Sequence, residues 1–175
     1  MANPTMTLIG SSTVGSGGAP SVTFSSIPQT GYTDLKIVVS ARSDAAANSN
    51  GVGLYLKFNG SATSYAWRRL ANNSGTVFSD NNGADTAMLV GAQNAANDTS
   101  STFTSTDIYI PNYTSTSFNS VSSDSTAENN GTTISGFMVA GIWSNTSAIS
   151  SVVFNASSGN FAQYSTFYLY GINNS

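Results

Sequence analysis

Apolar and polar side chains alternate along this chain in short runs, and Gly, Asn, Ser or Asp interrupts them about every 8–15 residues. Leu35, Ile37, Val39 and Ala41 alternate with Lys36, Val38, Ser40 and Arg42; Leu54, Leu56 and Phe58 interleave with Tyr55 and Lys57. Phe137, Val139 and Trp143 share one parity, while Phe167 and Leu169 alternate with Tyr168 and Tyr170. A period of two sends neighbouring side chains to opposite faces of a sheet, so these runs read as half-buried strands. Roughly ten are expected, from windows near 6–9, 21–27, 35–42, 53–59, 65–70, 87–91, 106–110, 117–123, 135–143, 149–154 and 166–172. No stretch of 12 or more residues carries an apolar repeat of 3.6. The alanine run after Asp44 is short and leads into the turn signal Asn50-Gly51.

Many short strands joined by small polar turns predict an all-β fold, and the count suits a jelly-roll-like antiparallel β-sandwich. Val14-Gly15-Ser16-Gly17-Gly18-Ala19 reads as a flexible link. It separates residues 1–13, expected as an N-terminal arm or first strand that pairs with a neighbour, from a single sandwich domain over 14–175. The segments 44–52, 72–86 and 92–104 are polar and nearly charge-free, and are expected as long loops gathered at the ends of the sandwich.

Composition narrows the chemistry. The 175 residues include no Cys, which rules out disulfides and thiolate zinc sites. They include no His, which removes the usual base near neutral pH and the commonest metal ligand. Charged residues make up 7%; the cations are Lys36, Arg42, Lys57, Arg68 and Arg69, and the net charge is −3. That balance argues against a nucleic-acid surface and offers little to anionic lipid. No segment reaches the ~18 apolar residues of a membrane helix, and Met1-Ala2-Asn3-Pro4 lacks the basic and apolar regions of a secretory signal. A location outside a cell is therefore expected to follow from maturation or from release within a particle. Ser, Thr and Asn supply about two-fifths of the chain, and aromatics 11%, which predicts an ordered core under a hydroxyl and amide exterior.

Candidate reactive groups are few. Neither Lys36 nor Lys57 sits in a Ser-x-x-Lys motif, and both are expected as solvated strand residues. Asp124 and Glu128 form an acidic pair of the type glycosidases use, but Asp124 and Asn129-Asn130-Gly131 read more simply as a cap and turn between strands. Asp80-Asn81-Asn82-Gly83-Ala84-Asp85 spaces oxygen ligands as calcium loops do, yet lacks the closing Glu. No catalytic residue, metal ligand or cofactor is assigned. Arg68-Arg69 follows Tyr65 and Trp67, so one arginine should face each side of the sheet. The inner one is expected to pair with Asp107 or Asp124; the outer one, beside Tyr65 or Trp67, is a candidate interface anchor. Tyr168 and Tyr170 share a side and read either as a sugar-stacking pair or as a packed contact. Eight Asn-x-Ser/Thr triplets follow from composition alone and carry no weight.

Four segments resemble a family of single-domain virion structural proteins of tailed phages. They are Phe24-Ser25-Ser26-Ile27-Pro28 through Tyr32-Thr33-Asp34-Leu35 to Ser40-Ala41-Arg42-Ser43; Ile108-Tyr109-Ile110-Pro111-Asn112-Tyr113; Ala140-Gly141-Ile142-Trp143-Ser144-Asn145-Thr146 with Ile149; and Gln163-Tyr164-Ser165-Thr166-Phe167 to Tyr170-Gly171-Ile172. The similarity runs from about residue 6 to 172 and contains strand and turn signatures but no catalytic motif. It implies a place on the exterior of a virion, as a capsid decoration (cement) protein or a tail-fibre or spike tip.

A decoration protein would clamp neighbouring major capsid protein subunits, commonly as a homotrimer, with the 1–13 arm, the long loops and Trp67, Arg68 or Arg69 in the contacts. A fibre tip would bind a host glycan through Tyr168 and Tyr170. The short arm and single compact domain favour decoration over a fibre, which needs a shaft. A polysaccharide-degrading enzyme relying on Glu128 is the remote third reading.

Overall fold

The computed structural model describes residues 5–47, 51–130 and 134–173. Twelve strands and no helix occur among them: β1 (Met6–Thr13), β2 (Val22–Phe24), β3 (Asp34–Ala41), β4 (Val52–Phe58), β5 (Tyr65–Asn73) and β6 (Thr76–Asp85). The second half supplies β7 (Met88–Gln93), β8 (Thr104–Ile110), β9 (Asn119–Glu128), β10 (Ile134–Trp143), β11 (Val152–Ala156) and β12 (Thr166–Ile172). They form an all-β sandwich. An eight-stranded sheet in the order β1-β12-β3-β8-β9-β10-β5-β6 packs on a four-stranded sheet in the order β2-β11-β4-β7. Every pairing between named strands is antiparallel.

The alternation in the sequence decides which side chains meet between the sheets. Leu35, Ile37 and Val39 of β3 share the main core cluster with Leu54, Leu56 and Phe58 of β4, and Ala71, Ala92 and Phe137 form a smaller second one. Phe154, Phe161 and Phe167 form one ring cluster, with centroids 5.2 and 5.0 Å apart, and Phe58, Tyr65 and Trp143 form another. The Tyr65 hydroxyl is buried and accepts the Phe58 amide at 2.7 Å, so the core aromatic brings its own polar partner.

The small sheet ends at β7, which lies against β9 and β10. Its backbone edge is closed from the side by inward hydroxyls of β9: Ser123 donates to the Val90 carbonyl at 2.7 Å, and Ser125 donates to that of Ala92 at 3.2 Å. Gly91 permits the approach, since a Cβ there would lie 2.8 Å from Ser125 Cβ. Beyond β7 the hairpin β5–β6 overhangs.

Three expectations change. The segment 72–86 is not a loop: Thr76–Asp85 forms β6 and pairs with β5 through a tight turn at Ser74 and Gly75, both with positive φ. As an edge strand it has no fully buried face, so it shows little apolar alternation. Asp124 does not cap a turn but lies within β9, directly opposite Met138. Residues 6–13 lie along β12 of their own chain, because Gly10 and its neighbours close over Phe24 and Leu169 of the core.

Candidate interaction face

The outer side of the eight-stranded sheet is a continuous surface about 34 Å wide, at ~4.8 Å per strand spacing. The register writes its rows. One runs Leu8, Tyr170, Lys36, Tyr109, Ser122, Ala140, Arg68, Asn81; the next runs Ser11, Tyr168, Val38, Asp107, Asp124, Met138, Leu70, Ser79. A third, Thr13, Thr166, Ser40, Ser105, Thr126, Gly136, Asn72, Val77, is mostly hydroxyls.

The face has two halves. On β12, β3 and β8, Tyr168 (37% exposed), Tyr170 and Tyr109 surround the Lys36–Asp107 ion pair, whose N–O distance is 3.5 Å. The Tyr109 hydroxyl donates to Asp34 at 2.5 Å, and that bond to a carboxylate pushes its pKa above the ordinary tyrosine value. On β10, β5 and β6 large apolar side chains are exposed, Leu70 52%, Val77 66%, Ile134 61% and Met138 61%, beside Arg68, Asn72, Ser79 and Asn81. Two shallow depressions of ≈ 370 and ≈ 420 Å³ flank Met138 and Leu70.

Of the residues singled out from the sequence, Tyr168 and Tyr170 do share the outer side. The two arginines face opposite sides, as parity requires: Arg68 outward, Arg69 inward. The expected partners of the inner arginine are replaced. Arg69 grips Asp80 through Nε (2.8 Å) and Nη2 (2.5 Å), and its guanidinium lies 5.0 Å from the Phe78 ring centre and 5.6 Å from that of Phe137. Asp107 instead pairs with Lys36. Trp67 is no exposed anchor: it is 8% exposed, shares parity with Tyr65 in the core, and donates Nε1 to Asp85 at 3.0 Å. Arg68 therefore has no cation–π partner among the described residues. It donates to the Trp67 carbonyl (3.2 Å) and makes no ion pair among the described residues.

Sequence reasoning missed Arg42. Its parity in β3 pointed outward, but it follows the strand's last residue and is 8% exposed. Its guanidinium donates to the carbonyls of Thr99 (2.8 Å), Thr102 (3.1 Å), Ala96 (3.3 Å) and Asp98 (2.9 Å) and to the Thr102 hydroxyl (3.2 Å). No carboxylate takes part. This cation holds the connection between β7 and β8 as a cap over one end of the sandwich. Asn94 bonds to Thr102 and to the Glu128 carbonyl, and Asp44 accepts from Asn160, drawing neighbouring connections into the same cap. The signal available was one lone arginine among loops with almost no counter-charge.

The acidic groups are placed as follows. Asp124 and Glu128 point from the same side of one strand, four residues and so about 13 Å apart, beyond the span of a glycosidase pair. Asp80 is held by Arg69, and Asp85 accepts from Trp67, Asn82 and the Thr86 amide. No cluster of three or more potential metal-binding side chains occurs among the described residues. Compared with family models, curated proteins and solved structures, the chain matches none of them.

Proposed function

We propose that this chain is a non-catalytic structural protein of a virus particle, a capsid decoration protein that adds contact area across joints between shell subunits. The carrying observation is the broad outer face: an eight-stranded sheet presenting hydroxyls, tyrosines and exposed apolar side chains rather than a cleft lined by titratable groups. Its strand order supports the same setting. When hairpins β5–β6 and β9–β10 are set aside, β1-β12-β3-β8 faces β2-β11-β4-β7, with the first strand beside the last and successive strands alternating between sheets except for β4 and β7, which pair within the small sheet. We read this as a jelly roll, an architecture used by viral capsid proteins and lectins, widened by two hairpins added to one edge. Decoration works by mass action, because whatever binds only the assembled shell stabilises it. Purified protein is expected to bind empty mature capsids at micromolar concentration and raise their melting temperature. Absence of binding at that concentration overturns the proposal.

A second reading rests on the tyrosine half of the face. Tyr168, Tyr170 and Tyr109 around Lys36 and Asp107 offer rings and polar groups suited to a neutral sugar of the host surface, the task of a fibre tip. It predicts retention of host polysaccharide that a Tyr168→Ala, Tyr170→Ala pair abolishes.

A further inference from the structure

Around Met138 and Leu70 the outer face carries two charges, Asp124 and Arg68, that make no ion pair among the described residues. Asp124 stands directly opposite Asp107 across the β8–β9 pair; Lys36 on β3 and Arg68 on β5 each lie two strands and two residues from it, Lys36 is paired with Asp107, and neither makes an ion pair with Asp124. Like charges placed directly opposite destabilise a sheet. The other neighbours of Asp124 are Met138 across the ladder and Ser122 and Thr126 along its strand, none of them cationic. Arg68 is the converse. Its cross-strand neighbours are Ala140 and Asn81, its strand neighbours on that face are Ala66 and Leu70, and it has no carboxylate. In a chain with 7% charged residues, an unpaired anion and an unpaired cation flank the same exposed pair, Met138 and Leu70.

From this arrangement we infer that the β9-β10-β5 face binds a second copy of the chain across a two-fold axis, with Arg68 of each copy paired to Asp124 of the other. Arg68 and Asp124 are separated by two strands and two residues, a diagonal of about 12 Å. An axis lying in the face and crossing that diagonal at its midpoint passes between Met138 and Leu70. Rotation about it exchanges the two charged positions, so one operation makes both ion pairs and stacks the apolar side chains at the centre, as an isologous interface requires. The strands of the two copies then cross steeply, toward the orthogonal class of sheet packing. The pairing is two-fold, in place of the trimer expected from the resemblance, and it does not depend on capsid binding.

Sedimentation velocity from about 5 to 500 µM covers the range in which a contact of this size would assemble. The wild-type chain should convert from monomer to dimer. Arg68→Glu and Asp124→Lys should each weaken the dimer by about tenfold or more, and their combination should restore it. A chain that stays monomeric, a trimer, single variants with unchanged association, or a natively melting double variant without recovery would each overturn the inference. A cross-linking measurement guards against a charge variant that fails to fold. The chain has no cysteine, so Met138→Cys should be joined by a short bis-maleimide, whereas Ser40→Cys on the other half should not. Equal cross-linking at the two positions also overturns it.

Discussion

Arg42, buried, and Arg69, half-buried, sit in regions that use a positive charge in different ways. At the capped end, Arg42 is bonded only to neutral acceptors, four carbonyls and a hydroxyl, all from the connection between β7 and β8. On the overhanging hairpin, Arg69 is bonded to the carboxylate of Asp80 and lies against two rings, and its partner is 41% exposed. The first arrangement takes the guanidinium donor from the carbonyls of Ala96, Asp98 and Thr102 if the side chain is lost, while that of Thr99 keeps the Thr102 hydroxyl. The second leaves one carboxylate that water can reach. In a chain this poor in charge, the acceptors left behind matter more than the charge of the partner.

Perturbations that separate the two regions follow in decreasing order of effect. Arg42→Met should cost about 3 kcal/mol, measured by denaturant unfolding, and should expose the 94–103 connection to proteolysis before the rest. Arg69→Met should cost about 1–2 kcal/mol, because the ion pair is part-solvated and the apolar stem still covers Phe78 and Phe137. Should Arg69→Met prove the more damaging, the contrast fails. The two regions should also part in pH. Asp44, in the cap, has its pKa held below the usual 3.8 by the Asn160 amide and side chain. Its contribution is present above that value and lost as pH falls through the lowered one, so acid loosens the cap first.

Tyr55 lies near the hairpin, and burial pushes its pKa above 10, with Asp85 adding to the rise and Arg69 opposing it. The unfolded chain then ionises first, and stability falls as pH rises past about 10. With no histidine, a urea midpoint measured from pH 6 to 9 should stay nearly flat. The smallest effect is that of salt: 1 M NaCl should erode the contribution of Arg69 by a few tenths of a kcal/mol and leave that of Arg42 unchanged, as thermal melts of the two variants would reveal.

Most of the sandwich was legible because its strands bury one face. β3, β4, β10 and β12 carry their apolar residues at period two, and the windows drawn from that pattern fall on strands. β6 escaped because an edge strand beyond the small sheet buries neither face fully; Thr76–Asp85 has the composition of a loop and is a strand because β5 lies beside it. The same feature hides part of the site: Asp80 reads as a loop residue, which leaves Asp107 and Asp124, on β8 and β9, as the acids the pattern offers Arg69. Trp67 was misread for a different reason, since parity already placed it with Tyr65 and Arg69 and against Arg68. Arg42 was beyond reach of the pattern, because nothing local says that a connection more than fifty residues later will fold over it.

One arrangement at the edge of the large sheet also sets how the molecule answers a pull. β1 runs antiparallel to β12, and the Asn173 amide donates to the Thr5 carbonyl at 2.9 Å, so the ends of the described chain lie side by side. Tension applied between those two points would open the ladder like a zipper, rung after rung, at low force. The same load directed along the length of the strands would shear many rungs together and meet far greater resistance.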